Sequence, residues 1–222
     1  MPTVVNMKSD ANYLNQQASE KIATDLREKI LRGDLAPETR LRQPEIASDY
    51  GVSLMPARDA IKKLVRDGLA IRPTPKTFVV APLSASDFVE VMELRLLLEP
   101  NALERSAPRL KPDDLAQLKT YLTIQSDDFT AIETASNHWN FHRLLYSHMR
   151  RPRTLEIIER LNLHLNRYLV PIWSTIGIQP DWASHHRTLI TPVERGDITG
   201  AVEELRSDLD TTKRRVLKDI TV

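Results

Sequence analysis

The chain has 222 residues, about one and a half typical domain lengths, so two compact units are expected, one domain plus a small module. Its 31 basic residues against 30 acidic ones, with 41 % hydrophobic residues, exclude both intrinsic disorder and a strongly polyanion-seeking chain. The lack of cysteine excludes a disulfide framework and thiolate metal sites, suits a reducing cytosol, and leaves nitrogen and oxygen as the only metal donors.

No apolar run approaches the roughly 20 residues needed to cross a bilayer, and the polar start from Met1 to Gln17 lacks the apolar core of a signal peptide. A cytoplasmic location is expected. The charge shifts along the chain: up to Pro82 there are 13 basic and 10 acidic residues, and beyond it 18 and 20. A net of +3 is a weak signal for nucleic acid, so any such assignment rests on motif geometry.

Residues 1–12 read as a flexible leader. In the following segment Ile22, Leu26 and Ile30 recur every fourth residue, which predicts one apolar stripe on a helix closed by Gly33. A proline-marked loop over Leu35 to Arg42 leads to a short helix around Glu45 to Tyr50, followed by Gly51 as a sharp turn. Ser53 then stands as an N-cap, Pro56 lies in a first turn where a missing N–H is tolerated, and Ile61, Leu64 and Val65 form a stripe ending at Gly68. Helix, tight turn and capped helix make a helix-turn-helix whose second member is free to enter a major groove. Leu69 to Arg72 and Phe78 to Ala81 read as two short strands, with Pro73 to Lys76 as the turn of a β-hairpin wing. Residues 13–82 are thus expected to form a winged helix.

From Ser84 the pattern is helical. Ser84 and Asp87 have capping-box spacing, and Phe88, Val91, Leu94 and Leu98 share a face; Pro100 is expected to kink or interrupt that helix. Leu115, Leu118 and Leu122 form a further stripe, as do Trp139, Phe141, Leu144 and Leu145. So do Leu155, Ile158, Leu161, Leu165 and Leu169, and a last pair of helices lies around Leu189 and Leu205, divided by Gly196 and Asp197. The fold class is mainly α: an N-terminal winged helix-turn-helix plus, over residues 83–222, an all-helical bundle of six or seven helices.

The six histidines lie between His138 and His186. His138 and His142 are four residues apart, so both imidazoles project from one helical face and could grip one ion; incidental surface or packing roles are the alternative for such a pair. Arg95 falls on the apolar face of Phe88, Val91 and Leu98, so its charged head points inward and demands a partner. A salt bridge to Glu99 or Asp208 is the first possibility. His148, His164 and His185 carry no spacing argument and read as structural or exposed.

Val52-Ser53-Leu54-Met55-Pro56-Ala57-Arg58-Asp59-Ala60-Ile61 with Asp67-Gly68-Leu69 resembles the GntR superfamily of bacterial transcription regulators. Leu94-Arg95 with Leu98-Glu99, Phe141-His142, and Gly196-Asp197 with Ala201 resemble the all-helical (FCD-type) effector domain of its FadR-like subfamily, so the likeness spans nearly the whole chain. The resemblance implies that Arg58 hydrogen-bonds bases in the major groove, a role its forked guanidinium suits. Arg42, Ser53, Leu54, Lys62, Lys63, Arg72 and Lys76 complete the candidate DNA surface, the basic ones as phosphate contacts or as simply solvated charges. The chain departs from the family at Leu54, where an arginine is usual, and at Lys76, where the wing usually has glycine; Leu54 could instead touch a thymine methyl or pack internally.

The resemblance to the subfamily's metal-binding branch also covers Phe141-His142 and His186-Arg187. That branch carries an aspartate four residues before the first histidine and a third histidine in the last helix. Here the ends are exchanged, with His138 at the first place and Asp208 at the last. His138, His142, His186 and Asp208 would still make a nitrogen and oxygen set for zinc, nickel or manganese. Arg95 would, by the same resemblance, grip an effector carboxylate beside the metal. These features imply a DNA-binding regulator, by default a repressor, that binds a near-palindromic operator as a homodimer and responds to a small carboxylate; it is not an enzyme and has no catalytic residues. The alternatives are a metal-dependent hydrolase with a regulatory N-terminal module, and a DNA-binding architectural protein whose bundle only dimerises.

Overall fold

The computed structural model describes residues 7–123, 129–176 and 182–220, and divides the chain into two compact units, Met1–Pro82 and Leu83–Val222. In the first unit the Ile22, Leu26 and Ile30 stripe is buried along α1 (Met7–Arg32) against α3 (Leu54–Arg66), whose own inward face is Ala57, Ala60, Ile61 and Leu64. The leader expected over 1–12 is already helical from Met7, and residues 1–6 lie outside the described residues.

Between these helices, α2 (Gln43–Asp49) ends where Gly51 takes a φ of 62°, a value that favours glycine. Val52 N–H donates to the Ala47 carbonyl at 2.9 Å and Gly51 N–H to that of Ser48 at 3.1 Å, so the turn satisfies the carbonyls that the helix end leaves open. Ser53 occupies the N-cap position of α3 in extended backbone, but its hydroxyl makes no capping hydrogen bond; as a cap it is a position rather than a contact.

The wing is β1 (Ala70–Thr74) antiparallel to β2 (Thr77–Val80), with Thr74 opposite Thr77. The turn is therefore only Pro75 and Lys76, shorter than the four-residue turn read from the sequence. Pro73 is tolerated inside β1 because this is an edge strand of a two-stranded sheet.

The second unit has six described α-helices: α4 (Ala85–Ser106), α5 (Pro112–Thr123), α6 (Ala131–Tyr146), α7 (Pro152–Ile176), α8 (Trp182–Glu194) and α9 (Ile198–Ile220), with a single 3-10 turn at Ala107–Arg109. With the winged helix-turn-helix this is the expected fold class. Its core joins Phe88, Met92 and Leu103 of α4 to Leu118, Phe141, Leu145, Ile158, Leu165, Leu189 and Leu205 from the other five helices. At the start of α4, Ser84 Oγ accepts from Asp87 N–H at 3.1 Å, as the capping spacing predicts.

Pro100 neither ends nor interrupts α4, which runs on to Ser106. A proline there leaves the Leu96 carbonyl without its helical N–H, and Arg206 Nη1 of α9 donates to that oxygen at 3.4 Å. Helix–helix packing thus overrides the local breaking tendency of proline.

Candidate nucleic-acid interface and metal centre

With Ala57, Ala60, Ile61 and Leu64 turned inward, the helical period puts Leu54, Arg58 and Lys62 on the outward face of α3. Leu54 is 56 % exposed and Met55 61 % exposed, so Leu54 is not a packing residue and Met55, unremarked in the sequence, joins it at the start of the helix. Arg58 is exposed and makes no hydrogen bond or ion pair among the described residues. Its neighbours are differently placed. Lys62 Nζ lies 3.0 Å from Asp59 Oδ1 and Arg42 Nη1 2.7 Å from Glu45 Oε1, both exposed pairs worth at most about 1 kcal/mol and easily exchanged for a phosphate.

Lys63, a candidate phosphate contact by sequence, is turned to α1 instead. It pairs with Glu20 and donates to Ser19 Oγ at 3.1 Å, because the Ile61 and Leu64 stripe sets that side of α3 against α1. In the wing, Arg72 donates to the Pro75 carbonyl and lies 5.5 Å over the Phe78 ring, while the Lys76 side chain has no partner among the described residues. A groove of about 570 Å³ is lined by Arg40, Arg42, Leu54 and Lys76. Arg40 was missed because it stands in a loop with no helical or strand periodicity; its backbone bridges Val79 of the wing.

In the second unit, α6 places Thr134, His138, His142 and Tyr146 at successive four-residue steps, all buried. His186 comes to the same point from α8. His142 Nε2 lies 3.1 Å from His138 Nε2 and 2.8 Å from His186 Nε2, and three ligating atoms, one from each residue, fall within 4.8 Å of one another. His186 Nδ1 donates to the Trp182 carbonyl at 2.7 Å; since a carbonyl only accepts, His186 Nε2 is the bare nitrogen. His138 Nδ1 is buried with no hydrogen-bond partner among the described residues. Asp208 of α9 is nearby rather than within the cluster, its Oδ2 3.8 Å from His186 Nε2.

Arg95 meets Glu99, not Asp208. Nε lies 2.6 Å from Glu99 Oε1 and Nη2 3.3 Å from Oε2, both side chains being at most 3 % exposed, while among the described residues Nη1 has only the Met92 sulfur at 3.7 Å. Tyr146 Oη donates to Glu99 Oε2 at 2.8 Å and lies 3.1 Å from His142 Nδ1. His148 pairs with Asp114 at 2.9 Å and His185 is exposed, both apart from this cluster, as is His164 on α7.

Burial, followed by the neighbouring imidazoles and Arg95, holds His138 and His142 well below the ordinary histidine range; burial also lowers His186, opposed by Asp208. Below pH 6.5 an unfolded chain takes up protons that the folded one refuses, so stability is retained above that pH and falls as the pH drops toward the folded values. All three rings contribute in the same direction, so the unfolding free energy is expected to fall as the pH drops from 6.5 to 5.5. Urea unfolding with chelator present checks this, and a midpoint unchanged over that interval would contradict the burial of three neutral rings.

Residues 18–80 match the family described as bacterial regulatory proteins, gntR family, and residues 90–211 match the FCD domain. The chain is similar to the HTH-type transcriptional repressor GlaR of Escherichia coli (strain K12), 26 % identical over 198 residues that cover 83 % of this chain and 89 % of that protein. It is also similar to the HTH-type transcriptional regulator McbR of the same organism, 29 % identical over 71 % of this chain and 72 % of that one. Among solved structures, a GntR family member from Pseudomonas syringae pv. tomato str. DC3000 is 30 % identical, with 93 % of this chain and 88 % of that chain covered and a TM-score of 0.52. E. coli McbR/YncC shares the fold at a TM-score of 0.73 and 20 % identity, over 91 % of this chain and 98 % of that one.

Proposed function

This chain belongs to the GntR family of bacterial transcription regulators that carry an FCD domain, and we propose that it acts in the cytoplasm as a homodimer whose two winged helices read the half-sites of a near-palindromic operator. The matched domains and relatives are regulators rather than enzymes, which sets the hydrolase alternative aside. Repression is the favoured sign, since three relatives are named repressors.

The observation that carries the DNA half of this reading is Arg58, exposed on the outward face of α3 with no partner among the described residues, while Arg42, Lys62 and Lys63 are paired. A guanidinium so placed can bridge both acceptors of a guanine, and Leu54 beside it offers an apolar contact to a thymine methyl. Ser53, Arg42, Lys62, Arg72 and Lys76, with Arg40, would contact the DNA backbone. Arg58→Ala is expected to weaken binding to the preferred duplex by about 1–3 kcal/mol while non-specific binding changes little. A titration at fixed salt checks this, and full sequence preference in the variant would remove Arg58 from the reading face.

The bundle is read as the sensor. Its three buried imidazoles are held neutral, at least His186 turns a bare Nε2 into the cluster, and no thiolate is present, a donor set that fits zinc, nickel or manganese. His138, His142 and His186 would hold the ion, with Asp208 as the oxygen donor at the edge; such an ion supplies a Lewis-acidic point of attachment for a small carboxylate. Arg95 would reach that carboxylate only through Nη1, since Nε and Nη2 already serve Glu99. The effector would act by binding one arrangement of the dimer better than another, since a ligand shifts an equilibrium only by its difference in affinity.

A further inference from the structure

We propose that Arg95, Glu99 and Tyr146 form a positioning relay that holds His142 as its Nδ1–H tautomer and so presents its Nε2 lone pair to the histidine centre. In its consequence for metal binding the inference rests on the sensor reading above. None of the three touches the centre as a ligand; they act through the ring of His142.

The relay starts from a fixed charge. Arg95 grips both oxygens of Glu99 one helical turn away on α4, and both side chains are at most 3 % exposed, so the carboxylate has a single orientation and acts only as an acceptor. Glu99 Oε2 takes the one hydrogen of the Tyr146 hydroxyl at 2.8 Å. A phenol has no second hydrogen, so its oxygen can meet His142 Nδ1, 3.1 Å away, only by accepting. Nδ1 must therefore carry the ring proton, and in a neutral imidazole the other nitrogen is then bare.

His186 reaches the same state by a different route, through the Trp182 carbonyl. The 2.8 Å contact between His142 Nε2 and His186 Nε2 then sets one lone pair against another, an arrangement that repels unless a cation is shared. The surroundings thus build two outward-bonded, inward-bare imidazoles from two helices, as expected of rings oriented to ligate. The α6 register makes the relay possible: Tyr146 follows His142 by four residues, so hydroxyl and imidazole lie on one face.

The test is Tyr146→Phe, which keeps the ring and removes the hydroxyl. Nitrogen-15 NMR of the imidazoles in chelator-treated protein reads the tautomer of His142, and competition with a chromophoric chelator reads the dissociation constant of zinc. The wild type is expected to hold His142 with Nδ1 protonated; the variant is expected to lose that fixed tautomer and to bind zinc about 10–100-fold more weakly. A wild-type His142 protonated at Nε2 would overturn the relay without any variant, and so would a folded variant with unchanged tautomer and unchanged zinc affinity. A wild type with the fixed Nδ1–H tautomer and no zinc binding would support the relay and refute the metal reading, so the two are separable.

Discussion

Arg95→Ala is expected to destabilise the C-terminal unit by about 3–5 kcal/mol, the effect of leaving one member of a buried ion pair without the other. The partner left behind is Glu99, 0 % exposed, whose remaining hydrogen bond comes from Tyr146. A charge of this kind has no route to water except by opening the bundle or taking up a proton. The loss corresponds to a fall in thermal midpoint on the order of 10 °C for a domain of this size. Calorimetry or urea unfolding checks it. The double change Arg95→Met with Glu99→Leu should recover much of the loss, because no buried charge is then left unpaired and only the neutral Tyr146 hydroxyl loses its acceptor. If Arg95→Ala unfolded like the wild type, Arg95 would not be the counter-charge of Glu99. A raised effector dissociation constant in a variant that keeps its stability would assign Arg95 to ligand binding alone.

The second large effect is the coupling of metal to stability. An ion that binds only the folded state stabilises it by about 2.7 kcal/mol when its free concentration is a hundred times its dissociation constant. Zinc added to chelator-treated wild type should raise the unfolding midpoint accordingly, and His186→Ala should abolish that rise. His186 is the informative position because it alone brings the α8 nitrogen to the α6 pair, and it is the ring nearest Asp208. Thermal melts with and without zinc supply the measurement. Equal zinc shifts in wild type and His186→Ala would place any bound ion elsewhere, while no shift in either would remove the metal from the account.

What could be read from the residues alone was what depends on short-range geometry. The Ile61 and Leu64 stripe, with Gly51 and Gly68 at the turns, specifies a helix-turn-helix because helix caps and a 3.6-residue period act over a few positions. The same holds for His138 and His142, four residues apart on one face. What depends on a distant partner could not be read in this way. Lys63 looks like Lys62 in sequence, and only the docking of α1 turns one toward Glu20 and leaves the other beside Asp59.

Pro100 has the local character of a helix breaker, and the guanidinium that answers its open carbonyl comes from Arg206, more than a hundred residues later. Arg95 offered two carboxylates, of which Glu99 was the near one at helical spacing. Tyr146, unremarked in the sequence, is the next four-residue step after His142, and its meaning depends on α4 bringing Glu99 to its hydroxyl. Asp208 is similar: the resemblance to the metal-binding branch points to it, and only the packing of α9 sets its 3.8 Å distance from His186.

Duplex recognition by the N-terminal unit is tested most directly by selection of bound oligonucleotides from a random pool by the purified protein at moderate salt. Enrichment of one motif with two inverted half-sites, lost or relaxed in Arg58→Ala, is the predicted result. A pool that remains random after repeated rounds, with and without zinc and a panel of small carboxylates, would contradict it.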